Sequence, residues 1–343
     1  MRRTLLTILL AWFLPLSAVG MTLPYAEETV LSVQGLTADQ TALAAYLYTP
    51  VFNMEEQVSL PAGTRYADAE AAMTALTRDY PELFHLARNY SLSYYTLAPE
   101  YATAVIPQYR MSADEAAKMR ADLYVAAYLA VVQSADPLTL HDHVCSVVTY
   151  GGETELVHTA AGALLEGQAT CEGYAQALTL LYRMAGIPCG VVTGEATDSH
   201  GVTERHAWNI ADVDGFTLTD ATWNDQEHLS LNTHWYYGLS TGQMAADHTP
   251  DAELSLPACI HAGWPGECII TTEDELFAAL RTFSRDGYIN LRFHNAQLYA
   301  HAAQDTHVLL EEFGRRFPDE AFFGAYAVTV SDAQMCLILQ RAE

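Results

Sequence analysis

The stretch GQATCEGYAQALTLLYRMAGIP, residues 167–188, predicts an amphipathic helix that presents Cys171 in its first turn. Thr170 is a candidate N-cap, and Gly186 and Pro188 end the helix. Apolar side chains recur at the three- and four-residue spacing of one helix face, at Ala175, Leu178, Leu181 and Tyr182. Unsatisfied N–H groups and the macrodipole at a helix N-terminus favour an anion, so a thiol there ionises more readily than its free pKa of about 8.5 implies. Position alone does not separate such a thiol from a cysteine that fills space in a core.

Two motifs downstream supply the partners that a nucleophilic thiol needs. RHAWN at residues 205–209 contains His206, and TDATW at residues 219–223 contains Asp220. A nucleophile, a base and a carboxylate that orients the base are the three roles in a covalent hydrolase or acyltransferase. The order Cys171, His206, Asp220 therefore predicts a catalytic triad.

The loop between these motifs decides whether His206 and Asp220 can meet. A two-residue turn would place them on opposite faces of a hairpin, because faces alternate at every residue. A three-residue loop over residues 213–215, with its glycine in the left-handed region, pairs Asp212 with Phe216 and makes His206 and Asp220 diagonal neighbours on one face. We therefore predict a loop with an odd number of residues, such as this three-residue loop, or a bulge, together with a hydrogen bond from an imidazole nitrogen to the Asp220 carboxylate.

The chain resembles the transglutaminase-like superfamily of papain-like thiol enzymes in four pieces: a glycine shortly before Cys171, Gly-Ile-Pro after its helix, His-Ala-Trp, and Asp-x-Thr-Trp. The resemblance covers residues 137 to about 250. It implies an α+β fold in which a cysteine at a helix N-terminus packs on an antiparallel sheet that carries the histidine and the aspartate. Animal transglutaminases have Gln-Cys-Trp where this chain has Thr-Cys-Glu, and papain-like proteases have a glutamine where this chain has Leu165.

The resemblance implies thiol-dependent chemistry on an amide bond of a protein or peptide substrate. Cys171 would attack the carbonyl to form a thioester acyl-enzyme, His206 would move the proton, and Asp220 would fix the imidazole tautomer. The Cys171 N–H would hold the oxyanion. Gln168 is the nearest candidate for a second donor, and a solvated turn residue is an equal interpretation of it. Trp208 would shield the ion pair from water. A cysteine peptidase is slightly favoured over a transglutaminase, and the alternative is a catalytically inactive module that binds protein or cell wall.

The first twenty residues have the pattern of an export signal. Two arginines precede an apolar run over residues 5–16, and small residues follow at 18–20. A bilayer crossing needs about 20 apolar residues, so a cleaved signal peptide over residues 1–20 is expected, with an uncleaved anchor as the alternative. The protein is therefore expected to be secreted or on the cell surface.

The composition is strongly acidic. The chain has 42 acidic and 16 basic residues, a net charge of −26, which would repel nucleic acid and anionic lipid. The partners expected are therefore protein or peptide substrates, with no nucleic acid and no membrane insertion after signal cleavage. The oligomeric state is left open.

Six cysteines raise the question of disulfides in an exported protein. Cys259 and Cys268 flank a turn-rich loop, so a bridge between them and two free thiols are equal alternatives. Cys145, Cys189 and Cys336 are expected to be buried thiols.

No cofactor and no metal are expected. A Cys-x-x-Cys pair does not occur in the sequence. His141 and His143 lie two apart on a predicted helix and point to different faces, so they would not converge on one ion.

The predicted organisation is a signal peptide over residues 1–20, an N-terminal accessory α+β region over 21–135, a catalytic core over 136–250, and a small C-terminal α+β region over 251–343. Capping boxes predict helix starts after Thr37, Ser112 and Thr272. Alternation predicts strands over residues 51–60, 90–96 and 103–109. A helix is predicted over residues 154–165.

Overall fold

A computed structural model describes residues 23–226, 231–321 and 324–342 of the chain. The predicted signal peptide lies outside the described residues. The fold is α+β, with helices and mainly antiparallel sheets in three successive parts of the chain. None of the helices in these described ranges is long and apolar enough to cross a bilayer.

The N-terminal part is a three-stranded sheet covered by helices. Its elements are α1 Ala38–Phe52, β1 Val58–Ser59, α2 Tyr66–Asp79, β2 Leu86–Tyr95, β3 Ala98–Tyr109 and α3 Ala113–Gln133, with strand order β1-β3-β2. The predicted capping boxes are confirmed: Thr37 accepts from the N–H of Gln40, and Ser112 from that of Glu115. The strand predicted over residues 51–60 is wrong except at β1. Helix α1 continues through Phe52 because Val51 is fully buried in the α1–α2 core, where packing overrides the alternating pattern.

The central part begins with irregular turns and continues as a helix on a sheet. Its elements are α4 Pro137–Val147, β4 Thr149–Tyr150, β5 Gln168–Ala169, α5 Cys171–Met184, β6 Cys189–Thr197, β7 Thr203–Asp212, β8 Phe216–Thr219, α6 Ala221–Asn224, β9 Asp225–Gln226, β10 Leu231–Asn232, α7 Thr241–Met244 and β11 His248–Pro250.

The helix predicted over residues 154–165 is wrong. A 3₁₀ turn at Glu155–His158 and a π turn at Gly162–Glu166 occupy this stretch. The buried Thr159 hydroxyl donates to the Leu156 carbonyl at 2.7 Å and accepts from the Gly162 N–H at 3.2 Å. These local side-chain bonds compete with helical hydrogen bonds and break the helix.

The central sheet has the order β11-β6-β7-β8 and is antiparallel throughout. The predicted three-residue loop between β7 and β8 is confirmed, because Asp212 pairs with Phe216 and Asn209 with Thr219. Asp214 takes the left-handed conformation at φ 65°, and Gly215 has φ 127°. Regular pairing stops at Thr219, where the chain turns into α6. If the hairpin continued in the same register, Thr222 would lie opposite His206, but the helix replaces the strand there.

Helix α5 docks on β6 and β7 through small residues and one amide. Cys171 packs against Ala175, Val191 and Ala207. The Asn209 amide of β7 donates to the Ala175 carbonyl of α5 at 2.9 Å. One side chain therefore ties the strand that carries His206 to the helix that carries the cysteine.

The C-terminal part is a second α+β layer that packs on the central sheet. Its elements are β12 Cys268–Ile270, α8 Glu273–Asp286, β13 Tyr288–Phe293, α9 Ala296–Gln304, α10 Thr306–Arg316, β14 Tyr326–Ser331 and β15 Cys336–Arg341, with strand order β12-β13-β15-β14. The capping box at Thr272 is confirmed. Cys336 and Ile338 share a core with Trp208 of β7, so this layer supports the back of the central sheet.

Candidate active site

Cys171 is the first residue of α5 and is half-buried. Thr170 is the N-cap residue by position, but its side chain makes no capping bond to the helix. The Thr170 hydroxyl instead lies 2.8 Å from His158 Nδ1. The first N–H groups of α5 have no intrahelical acceptor, so they are available to a negative charge at the helix start.

His206 and Asp220 meet as the hairpin register predicts. Their Nε2 and Oδ2 atoms are 2.7 Å apart, and both side chains are buried. Burial lowers the pKa of His206, but the Asp220 carboxylate and a hydrogen bond with Cys171 outweigh it and raise that pKa to about 10. Because Asp220 holds Nε2, Nδ1 is the ring nitrogen left for Cys171. A thiol, an imidazole and a carboxylate therefore form one chain of contacts.

Asp220 is held by four groups at once. Its Oδ1 accepts from the backbone N–H groups of Thr222 and Trp223 at 2.9 and 3.2 Å, as the N-cap of α6. Its Oδ2 faces His206 and, at 3.2 Å, Nε2 of His248. Burial raises the pKa of Asp220, but the two imidazoles outweigh burial and hold that pKa well below its usual value. The carboxylate is thus fixed in position and ionised.

His248 is a contact of the site that the sequence reasoning missed. It begins β11, pairs with Ala196 of β6, and its Nδ1 lies 2.6 Å from Oδ1 of Asp247. Only the pairing of β11 with β6 brings it behind Asp220. The adjacent Asp-His pair in the sequence was the one local signal for it.

Aromatic rings enclose the two imidazoles. Trp208 lies on the same face of β7 as His206, and the two rings are nearly parallel with centroids 6.2 Å apart. Trp223 lies 5.4 Å from the His206 ring and 4.5 Å from that of His248. Trp208 is 1% exposed, so water does not reach the imidazoles through it.

The N-terminal sheet also reaches the thiol. Arg88 of β2 forms an ion pair with Glu172, the residue after the cysteine. Burial lowers the pKa of Arg88, and a thiolate at Cys171 would oppose that effect because it favours the charged guanidinium. No pattern in the sequence indicates this contact, because Arg88 and Cys171 are brought together only by the packing of separate elements.

Gln168, the predicted second oxyanion donor, lies in the short strand β5 and is exposed. β5 pairs in parallel with β4, which sets Gln168 opposite Thr149. Its Oε1 lies beside Gly152, and a Cβ atom at position 152 would come within 3.0 Å of it. The described hydrogen bonds do not join its side chain to the cysteine.

Two side-chain groups among the described residues have donor atoms close enough together for a metal ion: His141, Asp142 and His234, and His206, Asp220 and His248. Hydrogen bonds connect both groups. In the first, the Asn224 amide donates to His141 Nε2 at 3.0 Å, so the proton of a neutral ring is on Nδ1, which donates to Asp142 at 2.9 Å. A protonated nitrogen is not a metal ligand.

All six cysteines are free thiols, so Cys259 and Cys268 are not bridged. Cys145, Cys189 and Cys336 are buried, as predicted. Burial raises the pKa of each of these three thiols. Cys171 is the thiol placed beside an imidazole whose pKa is raised.

A family model and solved structures of low sequence identity match parts of the chain. Residues 132–223 match the family model described as the transglutaminase-like superfamily. A solved candidate cysteine protease from Cytophaga hutchinsonii is 14% identical, with a TM-score of 0.26, over 39% of this chain and 61% of that one. A solved TGase is 11% identical, with a TM-score of 0.28, over 78% and 67% of the two chains. No curated protein matches the chain. The matched range contains Cys171, His206 and Asp220.

Proposed function

We propose that the protein, whose residues 132–223 match the transglutaminase-like superfamily model, is a thiol enzyme that acts on amide bonds of a protein or peptide substrate. The observation that carries the proposal is the position of Cys171 at a helix N-terminus, in contact with an imidazole whose other nitrogen bonds Asp220 at 2.7 Å. These residues take the roles of nucleophile, base and orienting carboxylate.

The reaction proceeds in two halves. The Cys171 proton passes to Nδ1 of His206, and the sulfur attacks the amide carbonyl to give a tetrahedral intermediate. The imidazolium returns its proton to the leaving amine, the C–N bond breaks, and a thioester remains. In the second half His206 takes a proton from water or from an amine, which attacks the thioester and releases Cys171. The raised pKa of His206 favours the imidazolium that the first step produces.

Hydrogen-bond donors have to stabilise the negative charge on the oxygen of the tetrahedral intermediate. The N–H of Cys171 at the start of α5 is the first, because helix geometry leaves it without an intrahelical partner. Gln168 is the candidate for the second and would have to turn its amide from Gly152 toward the cysteine. Trp208 excludes water from the imidazole, which strengthens the charge interactions of the pair.

Selective alkylation tests the nucleophile. Iodoacetamide at pH 6 to 7, followed by peptide mass spectrometry, should label Cys171 before any other cysteine, because a thiolate is the reacting form. Cys171→Ser should abolish both the labelling and the activity while the fold is kept. Cys268→Ser, which removes another half-buried thiol, is the matched control and should leave both unchanged. Equal labelling of all accessible cysteines would refute the proposal.

Product mass decides between hydrolysis and transfer. Peptides that contain glutamine are incubated with the enzyme, with and without a primary amine. Hydrolysis, the favoured outcome, gives a cleaved peptide or a glutamate whether or not the amine is present, whereas transfer gives an amine adduct. Absence of any thioester on Cys171 with all peptides would favour a binding module over an enzyme.

The proposed location is outside the cytoplasmic membrane, after removal of residues 1–20. N-terminal sequencing of the native protein should begin near Met21. A chain that starts at Met1 in the cytosolic fraction would contradict this proposal.

A further inference from the structure

We propose that His248 is a buried imidazolium that positions Asp220 from behind and offsets part of its negative charge, and that it thereby sets the proton affinity of His206. This inference deepens the proposed function, because it concerns the same thiol site. It makes His248 a positioning residue, since it does not reach the reacting atoms.

The hydrogen bonds around the ring require two protons on it. Nδ1 faces Oδ1 of Asp247 at 2.6 Å, and Nε2 faces Oδ2 of Asp220 at 3.2 Å. Ionised carboxylates only accept, so a neutral ring would turn a bare nitrogen toward one of them. The hydroxyl of Tyr236 already donates to the other oxygen of Asp247 at 2.7 Å, and Asp220 already accepts from two N–H groups. Between carboxyl and imidazole the shared proton belongs to the ring, because an imidazole is ordinarily the stronger base by more than two pKa units.

His85 provides the contrasting case within the same molecule. It is also fully buried, but Nε2 faces the Val51 carbonyl at 3.1 Å while Nδ1 faces the Arg120 guanidinium at 3.2 Å. One acceptor and one donor fit a neutral ring, and burial lowers the pKa of His85 to about 4. At His248 burial also opposes the charge, yet Asp220 and Asp247 raise the pKa of the ring. Both histidines are buried, so the difference in their pKa comes from the number of hydrogen-bond acceptors that face each ring.

The charge of His248 acts on the base through Asp220. The groups that face His248 are Asp220, Asp247, His206 and the hydroxyl-bearing ring of Tyr236, together with the neutral indoles of Trp208 and Trp223. With a cation at His248, two carboxylates are balanced by two imidazoliums. Without it, the full charge of Asp220 would act on His206 and would hold its proton more tightly. A general base that binds its proton too tightly returns it slowly to a leaving group.

Nitrogen NMR on the wild-type protein tests the charge directly. With ¹⁵N-labelled histidine, His248 should show two protonated nitrogens at every pH from 6 to 8, whereas His85 should show one. Alkylation of Cys171 identifies His206, whose signals should move because it loses the thiolate. A His248 with one unprotonated nitrogen at pH 7 would overturn the inference.

The pH dependence of alkylation tests the consequence. The His248→Gln variant keeps hydrogen-bonding atoms at this position and removes the charge. The midpoint, which is the pH at which Cys171 reacts with iodoacetamide at half its maximal rate, should fall by about one unit, because the thiolate–imidazolium pair is stabilised. His85→Gln, the control for loss of a buried ring, should leave the midpoint unchanged. A His248→Gln protein that reacts more slowly at every pH with the same midpoint would show a purely structural role and refute the inference.

These experiments separate this inference from the proposed function. Failure of Cys171 to react selectively in wild-type protein would remove the proposed function, while the NMR result would still decide the charge of His248. Selective reaction of Cys171 with a neutral His248 would remove only the inference.

Discussion

Arg88 and Glu172 form an ion pair that joins the N-terminal sheet to the first turn of the cysteine helix. The Arg88 side chain is 58% exposed, and a thiolate at Cys171 would favour the charged form of its guanidinium. The N-terminal part of the chain therefore supplies a cation at the rim of the thiol site, in a protein with only 16 basic residues against 42 acidic ones.

Replacement of Arg88 by glutamine should slow alkylation of Cys171 at pH 6 about three- to tenfold. The thiolate loses a nearby cation, and Glu172 loses the partner that neutralises it. The difference should shrink in 1 M salt, because a half-exposed charge is screened. Arg88→Lys should restore most of the rate, and Arg285→Gln, at an exposed pair with Asp286, is the control. Equal rates for Arg88→Gln and Arg285→Gln would contradict this role.

Substitution of Gly173 by alanine should destabilise the protein by about 1–3 kcal/mol, through overpacking. A Cβ at this position would clash with the Val157 carbonyl and lie 2.7 Å from Ala169 Cβ. Gly242→Ala is the matched control, because Gly242 is also helical and its Cβ would meet open space. It should be neutral or stabilising by up to about 1 kcal/mol. Urea unfolding measures both, and equal effects at the two sites would show that the packing at Gly173 is not tight.

His206 should make stability depend on pH in a defined window. Its folded pKa of about 10 lies above the value near 6.5 of an unfolded chain, so its contribution is complete below pH 6.5 and is lost as the pH rises through 10. The difference in unfolding free energy between wild type and His206→Asn should therefore shrink by about 2 kcal/mol or more from pH 6.5 to 10. Urea titrations at intervals of one pH unit measure it. A difference that stays constant, or grows, would contradict the ion pair with Asp220.

Six thiols should react with a thiol reagent after the protein is denatured without reductant. All six cysteines are free in the structure, including Cys259 and Cys268. Four reactive thiols instead of six would show that one disulfide forms in the native protein. Peptide mapping would then identify the pair.

Local patterns in the sequence predicted the features that depend on neighbouring residues, such as helix starts and the register of a hairpin. The capping boxes at Thr37 and Ser112 place a hydroxyl and a carboxyl or amide at fixed spacing, and the helices begin there. The β7–β8 register followed from alternation and from the need for His206 and Asp220 to share a face. The four motifs predicted the α+β fold and the match of residues 132–223 to the transglutaminase-like superfamily model.

The remaining features depend on contacts between distant parts of the chain. Alternation suggested a strand after Val51, but burial against α2 keeps that residue in a helix. The Thr159 hydroxyl broke a helix that its apolar neighbours favoured. His248 and Arg88 reach the site from β11 and β2, and no spacing along the sequence indicates which strand edges will meet.

The buried Arg183 in the middle of α5 makes the central part of the protein depend on the N-terminal part. Its guanidinium donates to the carbonyl of Cys189 within the core and to that of Asp79 at the end of α2, and Gln176 of the same helix donates to the carbonyl of Arg78. A gene fragment that begins at residue 136 would keep the Cys189 carbonyl but lose those of Asp79 and Arg78, so the guanidinium and the Gln176 amide would each lose a hydrogen-bond partner. Recombination that grafts the core alone onto another protein would therefore yield a less stable graft than one that also carries the segment that ends α2.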